Sequence, residues 1–290
     1  MKPIIEFKKQ RELGDILSDT FAFLRQEFKP FLKTIFTIAG PYMLLFLLAS
    51  VFYMYMIGDL YSFDPYGGSN SFSFGLVLLS MAIFLITMIL AYVFANSAAL
   101  HYIKSYINNK GQVNMLDVKQ DVNNSFWRFI GLGITKWLVL IFSAMLCILP
   151  IFYFMVPMAV VYSIMVFEQK DVGDSFSHSF TLIKDEYWMT LATIIVIGMI
   201  VIVAGYAFSL PATLYSFMKL GIMSGEVDPL AFDEFMDPVD ILLNTIASLF
   251  QFLLNLISIV AYVFIYFNLN EKKNFTGTFE RIQSLGKSQQ

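Results

Sequence analysis

The sequence has few of the residues from which disulfides, metal sites and histidine-based active sites are built. Among its 290 residues there are one cysteine, Cys147, and two histidines, His101 and His178. A single cysteine inside an apolar run excludes a disulfide framework within the chain and a thiolate metal site. Because His101 has no acidic or cysteine partner in its own segment, we interpret both rings as amphipathic groups at a membrane surface rather than as ligands.

The motifs of common enzyme and nucleotide-binding sites are also missing. The sequence contains no Gly-x-Ser-x-Gly, no His-Glu-x-x-His and no Gly-x-x-x-x-Gly-Lys-Ser/Thr. We therefore predict a protein that is not an enzyme and that holds no cofactor or metal. Without a nucleotide site or a carboxylate inside its apolar runs, it has no evident way to couple transport to an energy source.

Charged residues are scarce, and apolar residues take their place. The chain is 14% charged, compared with about 25% for an ordinary soluble protein. It is 58% hydrophobic, and its mean hydropathy is +0.67. This composition predicts that most of the chain is surrounded by lipid rather than water. The net charge of −3 provides no basic surface for nucleic acid, so we predict no nucleic-acid partner.

Five uncharged runs are long enough to cross a bilayer, and one of them is long enough to cross it twice. A membrane-spanning helix needs ~20 apolar residues to cross ~30 Å of hydrocarbon. If Lys136 snorkels towards the interface, residues 129–167 would measure about 58 Å as one helix, so we expect a break at Pro150. We predict an all-α integral membrane protein with six transmembrane helices, at residues 32–57, 74–103, 130–149, 152–168, 188–217 and 239–269.

Basic residues are distributed unequally between the two sides that six spans define. If both termini are cytoplasmic, 18 of the 19 Lys and Arg residues fall on the cytoplasmic side, and only Lys219 falls on the other. The start of the chain is too polar for a signal peptide, so we expect the first span to act as an uncleaved anchor. We predict a multi-pass bacterial inner-membrane protein. In its acidic outer loop, Asp228-Pro229 and Asp237-Pro238 predict helix starts.

One segment of the sequence occurs twice in similar form, 159 residues apart, and we call it the repeated segment. Residues 13–39 and 172–198 align without a gap, and both place apolar residues at intervals of four, four, three and four, as in a helix at a membrane surface. The identical pairs are Gly14/Gly173, Asp15/Asp174, Ser18/Ser177, Phe21/Phe180, Glu27/Glu186, Leu32/Leu191, Thr34/Thr193, Ile35/Ile194 and Ile38/Ile197. We predict one membrane domain of three repeats, about 10–106, 112–168 and 171–270, with a cytoplasmic tail at 271–290. Each repeat is expected to be a surface helix followed by a transmembrane hairpin.

The same stretches carry a resemblance to a known family. LGDILSDTFAFLRQEFKPFL resembles the start of a group of uncharacterised bacterial membrane proteins, which are related to the membrane domain fused to some glycerophosphoryl diester phosphodiesterases. The region 156–191 is similar to that group's second block, with matches at Pro157, Glu168, Ser177, Ser179, Leu182, Lys184 and Trp188. The resemblance implies a six-helix membrane module without the phosphodiesterase, which is a separate barrel of about 250 residues. Because some relatives are encoded beside other membrane proteins and an AAA-type ATPase, it also implies a subunit of a larger assembly.

Two groups of residues are candidates for a functional site. The sixth predicted span carries polar side chains at intervals of four, three, four and three, on one helix face: Asn244, Ser248, Gln251, Asn255 and Ser258. Because amides are costly against lipid, this stripe must either hydrogen-bond to another helix or line a wet path for a polar headgroup. The second group is a candidate cytoplasmic interface: Glu168, Lys170, Lys184 and Trp188.

Two functions agree with these features, and a third, an enzyme, ranks behind both because no catalytic motif is present. The preferred hypothesis is a non-catalytic accessory or scaffold subunit that docks other membrane proteins or organises lipid. The alternative is a carrier for a lipid or an apolar solute that uses the polar face of the sixth helix. The expected partners are membrane lipids and, for the subunit, other integral membrane proteins and an AAA-type ATPase assembly.

Overall fold

The structure, a computed structural model, describes residues 4–61, 71–146, 148–220 and 237–287. Within these residues it is built from α-helices and contains no strand. The helices are α1 (Leu13–Tyr61), α2 (Ser71–Asn108), α3 (Met115–Leu146), α4 (Ile148–Phe167), α5 (Val172–Ile183), α6 (Tyr187–Lys219), α7 (Pro238–Asn274) and α8 (Thr276–Lys287).

The prediction of six transmembrane helices is confirmed. Six helices, α1, α2, α3, α4, α6 and α7, are long and apolar enough to cross a bilayer. The other two, α5 and α8, have 12 residues each and measure about 18 Å, which is too short for a span. The protein is therefore a multi-pass, all-α membrane protein.

The long apolar run of residues 129–167 is divided into two helices as predicted, but the division lies before Pro150. Helix α3 ends at Leu146, and α4 begins at Ile148. Pro150 is thus the third residue of α4, where its missing N–H group has no helical acceptor to lose. The proline starts the second helix rather than interrupting it. Cys147 lies outside the described residues.

The predicted surface helix of the first repeat is not separate from its span. Helix α1 runs without interruption for 49 residues, about 73 Å, so it contains both segments. Only in the second copy of the repeated segment does a distinct helix, α5, precede the span, because residues 184–186 form a turn before α6. In the second repeat, residues 115–128 precede the span at the place expected for a surface helix, and they are continuous with α3.

The chain divides into two compact units, which we call the first unit and the second unit. The first unit consists of Met1–Ile38, Val93–Ile200 and Leu256–Gln290, and the second of Ala39–Tyr92 and Val201–Asn255. Helices α1, α2, α6 and α7 contribute a segment to each unit.

The first unit has an aromatic core around Phe7. The Phe7 ring stacks on Phe264, with centroids 4.5 Å apart, and contacts Phe23 edge-on at 5.4 Å. Phe23 in turn contacts Tyr106 at 5.4 Å and Phe31 at 5.9 Å. All five rings are buried, or nearly so, and such pairs add about 0.5–1.5 kcal/mol each beyond the burial of apolar area. The segment before α1 is thereby part of the core.

A buried arginine holds this segment in place. The Arg11 guanidinium donates hydrogen bonds to the carbonyl oxygens of Phe7 at 2.6 Å and Lys9 at 3.1 Å, and to the Asp19 carboxylate at 2.8 Å. It also lies over the Phe264 ring, 4.7 Å from the centroid. Because only 4% of Arg11 is exposed, these partners replace nearly all of its hydration.

The segment predicted to be a tail contains helix α8, which the sequence analysis did not predict. The Glu271 carboxylate accepts hydrogen bonds from the backbone N–H groups of Gly277 at 2.7 Å and Thr278 at 2.9 Å, so it caps the start of α8. Lys8 forms an ion pair with Glu280 of this helix. A side chain at position 277 would collide with the Lys8 carbonyl group, so glycine permits the close approach of the two segments.

The second unit contains an ion cluster at the start of α7. The Lys219 ammonium lies 3.2 Å from the Asp237 carboxylate and 3.5 Å from that of Asp240. Asp237 accepts hydrogen bonds from the N–H groups of Val239 and Asp240, and Pro238 is the first helical residue, so the predicted helix start at Asp237-Pro238 is confirmed. The predicted start at Asp228-Pro229 lies outside the described residues. Lys219, the one basic residue that the sequence analysis assigned to the outer side, is therefore neutralised locally.

Candidate functional site

Four of the five residues of the polar stripe line one cavity in the second unit. Asn244, Ser248, Gln251 and Asn255 lie on α7 and face a cavity of about 640 Å³, which we call the stripe cavity. Ser258, the fifth, belongs to the first unit and is buried, with 7% of its surface exposed. The four residues come to one wall because their spacing follows the helical repeat.

The remaining walls of the stripe cavity are largely apolar and come from α1, α2 and α6 and from two further residues of α7. They are formed by Phe46, Met88, Ala91, Tyr92, Ile202, Gly205, Tyr206 and Ser209, and by Ala247 and Phe252 of α7. None of the described residues that line the cavity is charged. The cavity thus combines a neutral polar wall with apolar walls.

Gly205 makes room for the polar wall. A side chain at this position of α6 would meet the terminal amide of Gln251, whereas glycine leaves that space to the amide. Because the amide is the far end of a flexible side chain, it could move aside for a small group. A large side chain at position 205 would instead occupy part of the cavity.

The stripe makes its hydrogen bonds within α7. Asn244 donates to the carbonyl oxygen of Asp240 at 2.9 Å, and Ser248 donates to that of Asn244 at 2.8 Å. The side-chain amides of Gln251 and Asn255 have no hydrogen bond to any part of the chain that the structure describes. Two amides in a membrane-spanning helix are therefore available to water or to a ligand in the cavity, as the groove hypothesis requires.

The second candidate group is brought together only in part. Glu168 lies 2.7 Å from the Lys170 ammonium and accepts a hydrogen bond from the Tyr266 hydroxyl at 3.1 Å. Lys184 is exposed, and Trp188 is 78% exposed, with its ring against Tyr187. Glu168 thus connects the end of α4 with α7, whereas Lys184 and Trp188 face outwards.

His178 also reaches this cluster. Its Nε2 lies 3.3 Å from the Glu168 carboxylate, and only about a quarter of its side chain is exposed. His178 is thus half-buried beside an acid from outside its own helix, because α5 packs beside the end of α4.

A second cavity, in the first unit, was not predicted. It has a volume of about 250 Å³, and we call it the His101 cavity. His101 is 5% exposed, and its two ring nitrogens lie 3.0 Å from the Ser125 hydroxyl and 3.4 Å from the Asp121 carboxylate. The interpretation of His101 as an interfacial ring without an acidic partner is wrong, because α3 supplies the acid. The spacing of Asp121, Ser125 and Arg128 on one face of α3 was a signal that could have indicated a polar site.

The titratable residues do not form a metal site of the usual kind. In the described ranges, no group of three or more His, Cys, Asp or Glu side chains is placed so that it could hold a metal ion. The chemistry that these residues offer is hydrogen bonding and charge pairing.

Comparison with known proteins adds no family to this description. No family model, no curated protein and no solved structure matches the chain. The resemblance to the membrane domain of glycerophosphoryl diester phosphodiesterases stays a prediction, and the function has to be inferred from the geometry of the two cavities.

Proposed function

We propose that this protein is a carrier that binds an amphipathic, lipid-class molecule in the stripe cavity. The observation that supports the proposal is the placement of Asn244, Ser248, Gln251 and Asn255 along one wall of a cavity whose other walls are mainly apolar. A lipid has the matching division into a polar end and an apolar body. This was the alternative hypothesis of the sequence analysis, and the cavity favours it.

The size and charge of the cavity narrow the ligand class. Ligand cavities commonly measure about 300–1,000 Å³, and this one, at about 640 Å³, lies in that range. Because its described lining carries no charge, an ionic headgroup would lose hydration there without gaining a counter-charge. Hydroxyl and amide groups would instead be satisfied by the free amides of Gln251 and Asn255. We therefore infer a lipid with an uncharged, hydroxyl-bearing headgroup, such as a glycolipid.

The proposed location is the bacterial inner membrane, with both termini in the cytoplasm. It is supported by the 18 of 19 basic residues that six spans assign to one side. The nineteenth, Lys219, is paired with Asp237 and Asp240, so its charge weighs little against this orientation.

The proposal is tested with the protein reconstituted in liposomes. The probe is NBD-labelled glucosylceramide, whose headgroup is neutral, and NBD-labelled phosphatidylglycerol is the charged comparison. We expect the protein to accelerate the movement of the glucosylceramide probe between leaflets, measured by dithionite quenching, and to act less on the charged probe. Gly205→Leu should abolish the acceleration by filling the cavity. Thr213→Leu, an exposed position on the same helix outside the cavity, is the matched control and should leave it unchanged.

A second variant protects the test against a folding defect. The combined replacement of Asn244, Gln251 and Asn255 by Leu removes the polar wall without closing the backbone gap at Gly205. Thermal unfolding in detergent identifies any variant that does not fold. If either folded variant moves the neutral probe as fast as the unmodified protein does, the carrier proposal is wrong.

The accessory-subunit hypothesis stays a prediction. The many exposed apolar side chains, among them Trp127 and Trp188 at 78% exposure, suit contact with lipid as well as with another protein. Purification in mild detergent distinguishes the two hypotheses, because a subunit should bring stoichiometric partner proteins with it and a carrier should be active alone.

A further inference from the structure

The His101 cavity lies among α2, α3, the last turn of α4 and Gln169, which follows α4. Its lining is mostly polar and consists of His101, Lys104, Asp121, Asn124, Ser125, Arg128, Met165, Val166 and Gln169. All of these residues belong to the first unit, so the cavity is separate from the stripe cavity of the second unit. The carrier proposal does not use it.

Two cations and one acid determine the charge of the His101 cavity. The Lys104 ammonium forms an ion pair with the Asp121 carboxylate at 3.1 Å. Arg128 is exposed, and it forms neither an ion pair nor a hydrogen bond with any other described residue. One positive charge is therefore left over, on a guanidinium whose fork of N–H donors suits the oxygens of an oxyanion.

A buried nitrogen of His101 has no hydrogen bond. The Ser125 hydroxyl donates to the carbonyl oxygen of Asp121 at 2.7 Å, so the His101 Nε2, 3.0 Å from the same hydroxyl, acts as the donor to it. In the neutral ring Nδ1 is then an acceptor. It is buried, lies 3.4 Å from the Asp121 carboxylate and lacks a partner in the part of the chain that the structure describes. Because the same Asp121 oxygen already accepts a hydrogen bond from Lys104 at 3.1 Å, the group that still needs a donor is the His101 Nδ1.

We propose that the His101 cavity binds a phosphomonoester group. Its charged oxygens would accept hydrogen bonds from Lys104, Arg128 and the Asn124 amide. Its P–OH group, which a phosphomonoester keeps in part near neutral pH because its second pKa is about 6, would supply the donor that the His101 Nδ1 lacks. Donors for the anion and acceptors for the hydroxyl thus occur in one cavity.

The volume agrees with a single small group. At ~30 Å³ per water, about 250 Å³ corresponds to roughly eight waters, enough for one phosphate with part of its hydration. It is below the usual size of a cavity for a drug-sized ligand. The phosphate group is therefore either inorganic phosphate or the end of a lipid headgroup whose acyl chains lie outside the cavity.

The test measures the His101 ring directly by NMR. The chain has two histidines, so His178→Gln leaves His101 as the only imidazole signal. Inorganic phosphate is titrated into the detergent-purified protein at constant ionic strength. We expect saturable shifts of both ring nitrogen signals, with the larger shift at Nδ1. Sulfate, which has a similar shape but no hydroxyl at neutral pH, should bind about tenfold more weakly.

Single substitutions connect the binding to the cavity. Arg128→Gln and Lys104→Gln should each weaken phosphate binding by about tenfold or more, because each removes a charge-assisted hydrogen bond. Lys119→Gln is the matched control, since Lys119 is an exposed cation of the same helix that does not line the cavity. An equal loss in Lys119→Gln would mean that surface charge alone attracts the anion, and it would overturn the proposal.

Nanodiscs identify the source of the group. The His101 signals are compared in discs of phosphatidylcholine with and without phosphatidic acid, whose headgroup is a phosphomonoester. A shift with phosphatidic acid supports a lipid headgroup, and a shift with inorganic phosphate alone supports the free anion. If neither probe shifts the His101 signals, or if sulfate binds as tightly as phosphate, the assignment is wrong.

Discussion

The stripe cavity and the His101 cavity belong to different compact units and differ in the charge of their walls. The stripe cavity is lined by amides, hydroxyls and apolar groups, whereas the His101 cavity is lined by two cations, an acid and a histidine. Because an ion is costly to desolvate without a partner, the first suits a neutral polar group and the second suits an anion. The two proposed ligands therefore differ because of the charge of the cavity walls more than because of the cavity volumes.

The two units also differ in where their charges lie. In the first unit Arg11 and Glu271 are buried at 4% and 1% exposure and hold chain segments together. In the second unit, Lys219, Asp237 and Asp240 form one cluster at the start of α7, in which Asp240 is buried and Asp237 is half-buried. We therefore expect removal of the Arg11 charge to destabilise the fold more than removal of the Asp237 charge.

The largest expected effect is that of Arg11→Met. The substitution leaves the carbonyl groups of Phe7 and Lys9 without their donor, and each buried acceptor left unsatisfied typically costs about 1–3 kcal/mol. Asp19 loses one of its two cations and keeps its ion pair with Lys9 at 3.0 Å. We expect a lower thermal midpoint in detergent and rapid proteolysis of residues 4–12. Arg25→Met, at an exposed position of α1, is the control and should change neither. A midpoint equal to that of the control would contradict the buried-arginine account.

A smaller effect is expected from placing a charge in the neutral cavity. Gln251→Glu keeps the size of the side chain but adds a carboxylate to the stripe cavity. Binding of the NBD-labelled glucosylceramide should weaken by about tenfold, because the carboxylate must be desolvated when the ligand enters. Fluorescence titration measures the change, and Gln251→Asn, which keeps the amide, should weaken binding less. If Gln251→Glu binds the probe as tightly as the unmodified protein does, the charge of the walls does not distinguish the ligands of the two cavities.

The smallest expected effect is the acid sensitivity of the start of α7. Partial burial opposes ionisation of Asp237, but hydrogen bonds from the Asp240 N–H, the Tyr215 hydroxyl and Lys219 outweigh it and lower the pKa of Asp237 to about 2. A carboxyl group with a lowered pKa stabilises the fold fully above its unfolded value of ~3.9, and this contribution is lost as pH falls towards about 2.

Hydrogen exchange of the first turn of α7 checks this prediction. Its protection relative to the rest of the helix should fall between about pH 5 and about pH 3. Asp237→Asn, which keeps a capping oxygen but cannot titrate, should show the same relative protection at both pH values. A constant relative protection in the unmodified protein would mean that Asp237 contributes nothing as a cap.

The spans were predictable because crossing a bilayer depends on local composition. Each uncharged run became a helix, and the run of residues 129–167 became two. Helix α4 begins at Ile148 and so includes Pro150, since proline is best tolerated within the first turn of a helix. The caps at Asp237 and Pro238 were equally local and were also predicted correctly.

The contacts of the two histidines were not predictable in the same way. His101 meets Asp121, and His178 meets Glu168, and in both cases the acid comes from a different segment of the chain. Reading each segment separately therefore missed both pairs.

The three-repeat organisation stays a prediction, but the two copies of the repeated segment share a pattern of burial. Ile16 and Ser175 are both buried, as are Phe23 and Leu182. The sequence AYVF occurs at 91–94 and again at 261–264, and the two glutamates of the repeated segment have partners at the same distance after it. Glu27 accepts from Tyr102 at 2.9 Å, and Glu186 pairs with Lys272 at 2.9 Å. Similar contacts at similar spacings are what a repeated unit would produce.

The sequence by itself determined that this is an all-α protein with six membrane-spanning helices, and that one helix face of α7 is polar. Both follow from the length of apolar runs and the period of the helix, which are properties of one segment at a time. Only the tertiary structure decided that the polar face lines a cavity, and that His101 lies beside Asp121 and Ser125. Those outcomes depend on which helices pack together, and such packing involves residues far apart in the chain.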